Sequence, residues 1–342
     1  DKIFGSLLPH FKSKYVNVGL DEAYGLGKFQ LENICREKGV DNVFMDYLEK
    51  INTLTTKKYG KNIMFWNDMI SAYPNSFERI PENAIVLNWG YDLIKSTLME
   101  KKCMELQDKN VTYYVCPGNS TWLSFTGRFD VMSFNLRTFG EIGRKYGAKG
   151  YLLTDWGCGE GHMHFPVWSL IPCALASQYS WNTGREQNGE NIKNEFIKQS
   201  MDYVDEYIIG NKASNFIYKL QLYYLLEPMR IHSSTMCGIF MRASLTETEK
   251  PGWFDLKDIS SDFYFDNVIE YVNKVLREGY TAEIGEQFKR EIIINAKMVV
   301  MATEFMKIRM NGKPSQKKID YLIELIDWIS EEYKELWLRL NY

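Results

Sequence analysis

The sequence predicts an α/β fold followed by an all-helical C-terminal part, and two observations support this prediction. Short, nearly continuous apolar runs alternate with helical patterns through the first half of the 342-residue chain. This alternation is typical of βα units on a parallel sheet. From about Asn182 onward, the apolar residues recur at helical spacing. We therefore predict an α/β domain over residues 1–181 and an α-helical domain over residues 182–342.

Five apolar runs are predicted strands, because parallel strands buried on both faces show continuous rather than alternating hydrophobicity. They are Tyr15–Leu20, Ile63–Trp66, Ala84–Trp89, Val111–Cys116 and Gly150–Thr154. The helices expected between them are Glu32–Tyr59, Tyr91–Gln107 and Phe134–Tyr146. The connection from Ile70 to Pro81 shows little periodicity, so its helix is predicted to be short or absent. The C-terminal helices are predicted over Ile192–Ile209, Ala213–Leu226, Ser261–Arg277, Ile284–Met310 and Ser315–Leu340.

Composition excludes several classes of partner. A net charge of −3 is unlike the clustered Lys and Arg of a nucleic-acid surface. No apolar run approaches the length of a membrane helix, so no membrane partner is expected. The six cysteines form no CxxC pair, which favours free thiols and a cytoplasmic setting. Aromatic residues make up 15% of the chain, and rings at this density either fill a large core or contact a ligand with apolar faces, such as a sugar.

Two adjacent carboxylates, Asp21 and Glu22, follow the first predicted strand and precede a glycine-rich turn. Since side chains alternate along a strand, Asn17, Gly19 and Asp21 are expected to share a face. In α/β barrels the C-terminal ends of strands build the active site. An Asp here also fits a simple turn cap, but two acids after a buried strand favour a catalytic pair.

Four tryptophans lie at or just beyond the ends of successive strands: Trp66, Trp89, Trp122 and Trp156. A single such Trp is more often a core residue, but the shared position indicates an indole-walled pocket that stacks on a sugar ring. Asp68 lies at the same edge and is predicted either to orient a catalytic residue or bind a hydroxyl, or to cap the following turn.

The last strand leads into a glycine-rich segment in which Asp155 is a candidate acceptor for sugar hydroxyls. Cys158, His162 and His164 also resemble a metal cluster, but zinc sites usually show paired spacings, so no metal and no cofactor is predicted.

These segments together resemble the glycoside hydrolase family 20 β-N-acetylhexosaminidases. The resemblance rests on five segments in order over about residues 15–181: Gly19-Leu20-Asp21-Glu22, Met64-Phe65-Trp66-Asn67-Asp68, Leu87-Asn88-Trp89-Gly90, Pro117-Gly118-Asn119-Ser120-Thr121-Trp122 and Leu153-Thr154-Asp155-Trp156-Gly157. The last two are similar to PGTSSW and LTDWGDxGH of a bacterial subgroup. This subgroup usually has Asp at the position of Cys158, and the Tyr that binds the acetamido oxygen in many members has no evident counterpart.

The resemblance implies a (β/α)8 TIM barrel and a retaining exo-glycosidase that removes terminal GlcNAc or GalNAc from a glycan or glycoconjugate. Catalysis in this family is substrate-assisted. Glu22 is then the general acid, and Asp21 orients the 2-acetamido group and stabilises the oxazolinium. Trp66, Trp89 and Trp122 wall the acetamido pocket, and Trp156 stacks on the sugar. The helical tail is expected to pack against the barrel or to form a homo-oligomer.

Five βα units fall short of eight. At about 33 residues per unit, three more would need roughly 100 residues, so the chain is expected to be a fragment of the barrel. Three alternatives remain: a non-catalytic carbohydrate-binding or structural fragment, another acetamido-directed glycosidase with a carboxylate pair, and an open α/β sheet that imitates the barrel pattern.

Overall fold

The computed structural model describes residues 1–91, 96–157, 164–182, 189–210, 212–226, 235, 262–280, 283–311 and 313–341. Strands and helices alternate in the first part of the chain and helices follow in the last part, which confirms the predicted mixed α/β fold with C-terminal helices. Residue contacts define two units. The first unit comprises Asp1–Gly90, Ile94–Pro117 and Arg137–Leu152, and the second comprises Tyr91–Leu93, Gly118–Leu136 and Leu153–Tyr342. The domain boundary at residue 181 stays a prediction.

The first unit is built on a five-stranded parallel sheet whose strands are neighbours in chain order. The strands are β1 (Tyr15–Asn17), β2 (Asn62–Trp66), β3 (Ile85–Trp89), β4 (Tyr113–Cys116) and β5 (Gly150–Tyr151). Each lies within or next to a predicted apolar run. Val16 is paired with Ile63, and Phe65 with Val86, so the C-terminal ends of the strands meet at one edge.

Apolar side chains cover both faces of the sheet. Ile63, Phe65, Val86 and Val115 belong to a core that also includes residues of the flanking helices. Their neighbours along the strands belong to a second cluster, formed by Met64, Trp66, Ile85, Leu87, Trp89, Tyr114 and Cys116. This double burial is the physical reason that the strands read as continuous apolar runs.

The helices of the first unit are shorter than predicted where glycine intervenes. The predicted helix Glu32–Tyr59 is divided into α2 (Glu32–Lys38) and α3 (Val40–Tyr59). Gly39 between them has φ +88°, which a helix cannot contain. The connection after β2 holds only the five-residue α4 (Asp68–Ala72) and a 3₁₀ segment, as expected from its prolines. The remaining helices that contribute to this unit are α1 (Lys2–Leu7), α5 (Ser96–Asp108) and α6 (Phe129–Lys145).

In its described residues the second unit is largely helical. Its helices are α7 (Leu170–Asn182), α8 (Gly189–Val204), α9 (Ala213–Gln221), α10 (Asp262–Tyr280), α11 (Glu286–Asn311) and α12 (Gln316–Asn341), and α6 begins within it. Ion pairs join α11 to α12, since Arg290 contacts the partly exposed Glu332 at 2.9 Å and the exposed Glu335 at 3.0 Å. No helix in the described part of the chain is long and apolar enough to cross a membrane.

Candidate active site

The acid pair lies on a loop of unusual backbone conformation rather than on a strand. β1 ends at Asn17, so the predicted strand through Leu20 is wrong at its C-terminal end. Gly19, Leu20 and Glu22 have φ values of +73°, +74° and +46°, and this left-handed backbone cannot continue a strand. The alternation argument for Asn17, Gly19 and Asp21 therefore does not apply. Instead the Asn17 side chain accepts a hydrogen bond from Gly19 N at 2.9 Å and closes a turn.

Asp68, the first residue of α4 after β2, holds this loop. Its Oδ2 accepts a hydrogen bond of 2.7 Å from the backbone N–H of Glu22. Its Oδ1 accepts a second hydrogen bond, of 3.2 Å, from the indole Nε1 of Trp89. Glu22, Asp68 and Trp89 follow or end three adjacent strands, so one carboxylate connects the ends of β1, β2 and β3. Whether Asp68 orients a catalytic residue or binds a substrate hydroxyl stays a prediction.

A buried amide pair lies beside Asp68. Asn67 Nδ2 donates to Asn88 Oδ1 at 2.7 Å, and both residues are buried. Asn88 Nδ2 in turn donates to the Sγ of Cys103 on α5 at 3.3 Å. Burial raises the pKa of the Cys103 thiol to about 11, so this cysteine is protonated at neutral pH. The pair fixes the ends of β2 and β3 with respect to each other.

Tyr24 is a residue of the acid loop that the sequence interpretation missed. Its hydroxyl is exposed and is hydrogen-bonded to Glu22, which raises the pKa of Tyr24 above its usual value; burial and the negative charges of Glu22, Asp68 and Asp21 add to the effect. The charges of all three carboxylates therefore act on this one hydroxyl. A Tyr two residues after an acid pair was the available sequence signal.

The two candidate tryptophans of the first unit have different surroundings. Trp66, the last residue of β2, is buried in the second apolar cluster with Ile85, Leu87 and Cys116. Trp89 lies at the margin of that cluster, is half-buried and bonds to Asp68. Trp89 thus contacts the carboxylate of Asp68, whereas Trp66 packs in the core.

An apolar cavity of about 680 Å³ adjoins the loop and is lined by Leu20, by several residues between positions 23 and 31, and by α3. Leu26, Phe29, Phe44 and Tyr47 are among its lining residues, and neither Asp21 nor Glu22 is. The acids are exposed on the surface instead.

In the second unit, Tyr91 connects the other two tryptophans. Its hydroxyl accepts a 2.8 Å hydrogen bond from Trp156 Nε1, and its ring packs edge-on against Trp122, with centroids 5.1 Å apart. Trp122 is buried, and the guanidinium of Arg128 lies over its ring at 5.8 Å. Trp156 keeps 36% of its surface exposed. Tyr91 was not identified from the sequence, although it follows Trp89-Gly90 directly.

Asp155 is bound by several protein donors. Ser169 Oγ donates to Oδ2 at 2.7 Å, Thr121 Oγ1 donates to Oδ1 at 3.1 Å, and His164 Nε2 lies 3.8 Å from Oδ1. Partial burial by itself raises the pKa of Asp155, but interactions with His164, Ser169 and Asn119 outweigh it and place the pKa well below its usual range. Asp155 is therefore an ionised anchor of its loop as well as a candidate acceptor for substrate hydroxyls.

The candidate metal cluster can be followed only in part, since Cys158 and His162 lie outside the described residues. Within the described ranges, no group of three His, Cys, Asp or Glu side chains is placed to hold a metal ion. The described Cys35, Cys103, Cys116 and Cys173 carry free thiols.

Comparisons with known proteins add no assignment to this geometry. No protein-family model matches the chain, and no curated protein matches it significantly.

Proposed function

We propose that this chain belongs to a retaining exo-β-N-acetylhexosaminidase that removes terminal GlcNAc or GalNAc by substrate-assisted catalysis. The observation that carries the proposal is the bridging carboxylate of Asp68, which binds both the backbone of Glu22 and the indole of Trp89. An exposed acid pair is thereby held next to an aromatic ring at the ends of parallel strands. Carboxylates beside an aromatic face are the groups that bind and cleave a sugar ring.

In the proposed first step, the carbonyl oxygen of the substrate's 2-acetamido group attacks the anomeric carbon. The glycosidic bond breaks, and Glu22 gives its proton to the leaving oxygen, so that an alcohol departs. Asp21 orients the acetamido N–H and balances the positive charge of the oxazolinium. Water, deprotonated by Glu22, then attacks the anomeric carbon and opens the ring with net retention. The substrate supplies the nucleophile, so the reaction requires no cofactor.

The remaining site residues have binding roles in this proposal. Trp89 faces the acetamido group, with Trp66 supporting the strand end from the core. In the second unit, Trp156 contacts the sugar, and the buried Trp122 supports it through the aromatic cluster that Tyr91 organises. Asp155 contributes a charged acceptor on the same loop as Trp156.

The proposal includes a barrel architecture for the sheet. Five parallel strands in chain order without reversal support a segment of a (β/α)8 barrel, because a doubly wound sheet reverses its strand order at a switch point.

A fluorination series tests the mechanism. Aryl β-glucosaminides whose N-acetyl group carries zero, one, two or three fluorines differ in the nucleophilicity of the carbonyl oxygen. Substrate-assisted catalysis predicts a steep fall of kcat/KM along the series, whereas a protein nucleophile predicts a nearly flat one. A flat series contradicts the proposed mechanism.

Glu22→Gln tests the assignment of the acid. We expect its kcat for an aryl N-acetylglucosaminide to fall by about 100-fold or more, because general acid catalysis contributes roughly 10²–10⁴-fold. Glu82→Gln, at an exposed carboxylate before β3, is the matched control and should retain wild-type turnover. Equal turnover in both variants rejects the assignment. Binding of an N-acetylglucosamine thiazoline without hydrolysis by the wild-type chain supports the non-catalytic carbohydrate-binding alternative.

A further inference from the structure

The segment from Phe165 to Ser169 is attached to helix α11 by three hydrogen bonds. Asn295 Oδ1 accepts from Phe165 N at 3.2 Å and from Trp168 Nε1 at 2.6 Å. Glu291 Oε2 accepts from Val167 N at 3.0 Å. The segment lies more than 120 residues before the helix in the chain, so the attachment is a tertiary feature.

Glu291 and Asn295, the two acceptors, lie where burial of a polar side chain is energetically unfavourable. Glu291 and Asn295 are four residues apart and share one face of α11, and both are buried. Burying a carboxylate and an amide is unfavourable unless hydrogen bonds compensate for it. The residues between and beside them, such as Ile292, Ile294 and Ala296, are apolar, as packing alone requires. The polar pair therefore serves the segment that it binds, through two backbone N–H groups and the indole of Trp168.

From this segment the contacts continue to Asp155. Ser169 ends the 3₁₀ turn of Pro166–Ser169, and its hydroxyl donates to Asp155 Oδ2 at 2.7 Å. Asn119 Nδ2 donates to the same hydroxyl oxygen at 3.0 Å, which aims the Ser169 proton toward the carboxylate. A path of hydrogen bonds thus runs from α11, through one short turn, to the residue that precedes Trp156.

We propose that Glu291 and Asn295 are positioning residues through which helix α11 sets the geometry of Asp155 and Trp156. The C-terminal helices then have a defined part in substrate binding, because they hold the turn that orients the Asp155 carboxylate. This role rests on the proposed function, in which Asp155 and Trp156 contact the sugar.

The test compares Asn295→Ala with Thr303→Val in the full chain. Thr303 is buried on the same helix and donates to Val299 O, so its variant perturbs α11 without touching the turn. In Asn295→Ala we expect amide exchange at Phe165 to accelerate by about tenfold, because the Phe165 amide loses its buried hydrogen bond to Asn295. The thiazoline Kd and KM should rise by about tenfold, while kcat changes less than threefold because Glu22 is untouched. Thr303→Val should change none of these quantities beyond its effect on global stability.

Two further variants complete the design. Glu291→Gln keeps an acceptor for Val167 N and should bind the thiazoline with near-wild-type affinity. Glu291→Leu removes this acceptor, so its thiazoline Kd should rise about as much as that of Asn295→Ala. Ser169→Ala removes the bond to Asp155 and the acceptor of Asn119 Nδ2 but leaves the bonds to α11. It should therefore weaken thiazoline binding without changing amide exchange at Phe165, and it serves if Asn295→Ala does not fold. Affinity and exchange equal to those of Thr303→Val overturn the proposal. If the wild-type chain shows no binding of the thiazoline, the proposed function is rejected instead, and amide exchange still reports whether α11 holds the turn.

Discussion

The Asp68 carboxylate allows a quantitative test of how the acid loop is held. Leu20 and Glu22 have left-handed backbone conformations, each of which costs a non-glycine residue about 1–3 kcal/mol. The bonds of 2.7 Å to Glu22 N and 3.2 Å to Trp89 Nε1 offset part of this cost. A hydrogen bond to a charged group contributes about 1.5–3 kcal/mol, and the solvent exposure of this loop favours the lower value.

Asp68→Asn keeps one acceptor oxygen and turns an amide N–H₂ toward the other donor, so one of the two bonds is lost. We expect a fall of about 1.5 kcal/mol in the free energy of unfolding, and a fall of about tenfold in kcat/KM if the loop loses its orientation. Asp68→Ala loses both bonds, and its kcat/KM should fall by about 100-fold.

Urea denaturation and initial rates with an aryl N-acetylglucosaminide measure the two quantities. Asp108→Asn, at an exposed carboxylate that ends α5, is the matched control. The reasoning is refuted if Asp68→Asn stays within twofold of the wild type in kcat/KM and matches Asp108→Asn in stability. A loss of stability without a loss of activity would place Asp68 among purely structural residues.

Two other predictions concern the second unit. A Cβ at Gly118 would lie 2.3 Å from Trp122 Cη2 and 2.8 Å from Tyr91 Cδ1, so Gly118→Ala should lower the free energy of unfolding by about 1–3 kcal/mol and weaken thiazoline binding. Gly279→Ala, whose Cβ meets Phe216 at 3.8 Å, is the control, and equal thermal stability of the two variants contradicts the prediction. Because the pKa of Asp155 is lower in the folded state, the ionised carboxylate stabilises the fold at pH values above the unfolded-state pKa of about 3.9. This stabilisation is lost as the pH falls through the folded-state pKa. Urea denaturation should therefore show Asp155→Asn to be destabilised at pH 7 and closer to the wild type at pH 3, and a difference that grows in acid argues against an ionised anchor.

The sequence predicted the central strands well because their burial leaves a direct trace. Residues of β2, β3 and β4 pack on both faces, so their apolar runs are continuous and hard to mistake. The end of β1 was mispredicted because Leu20 is apolar, and hydrophobicity does not report a positive φ. The division of the predicted helix at Gly39 has the same origin, since periodicity continues across a residue whose backbone interrupts the helix.

The site was predictable where it depends on strand ends and not where it depends on distant partners. Asp68 and Trp89 could be placed near the acid pair because parallel strands bring their C-terminal ends together. Burial of Trp66 could not be predicted, since a Trp at a strand end can face either the core or a ligand. The contacts of Asn295 with Phe165 and Trp168 span most of the helical part of the chain, and no local pattern encodes them.

The contacts among Glu22, Asp68 and Trp89 also show which part of the chain holds the acid loop. All three residues come from the continuous stretch that forms β1, β2 and β3, and each strand pairs with the next one in the chain. The hydrogen bonds that hold the acid loop therefore span 46 and 21 residues, and neither of them involves the later helices.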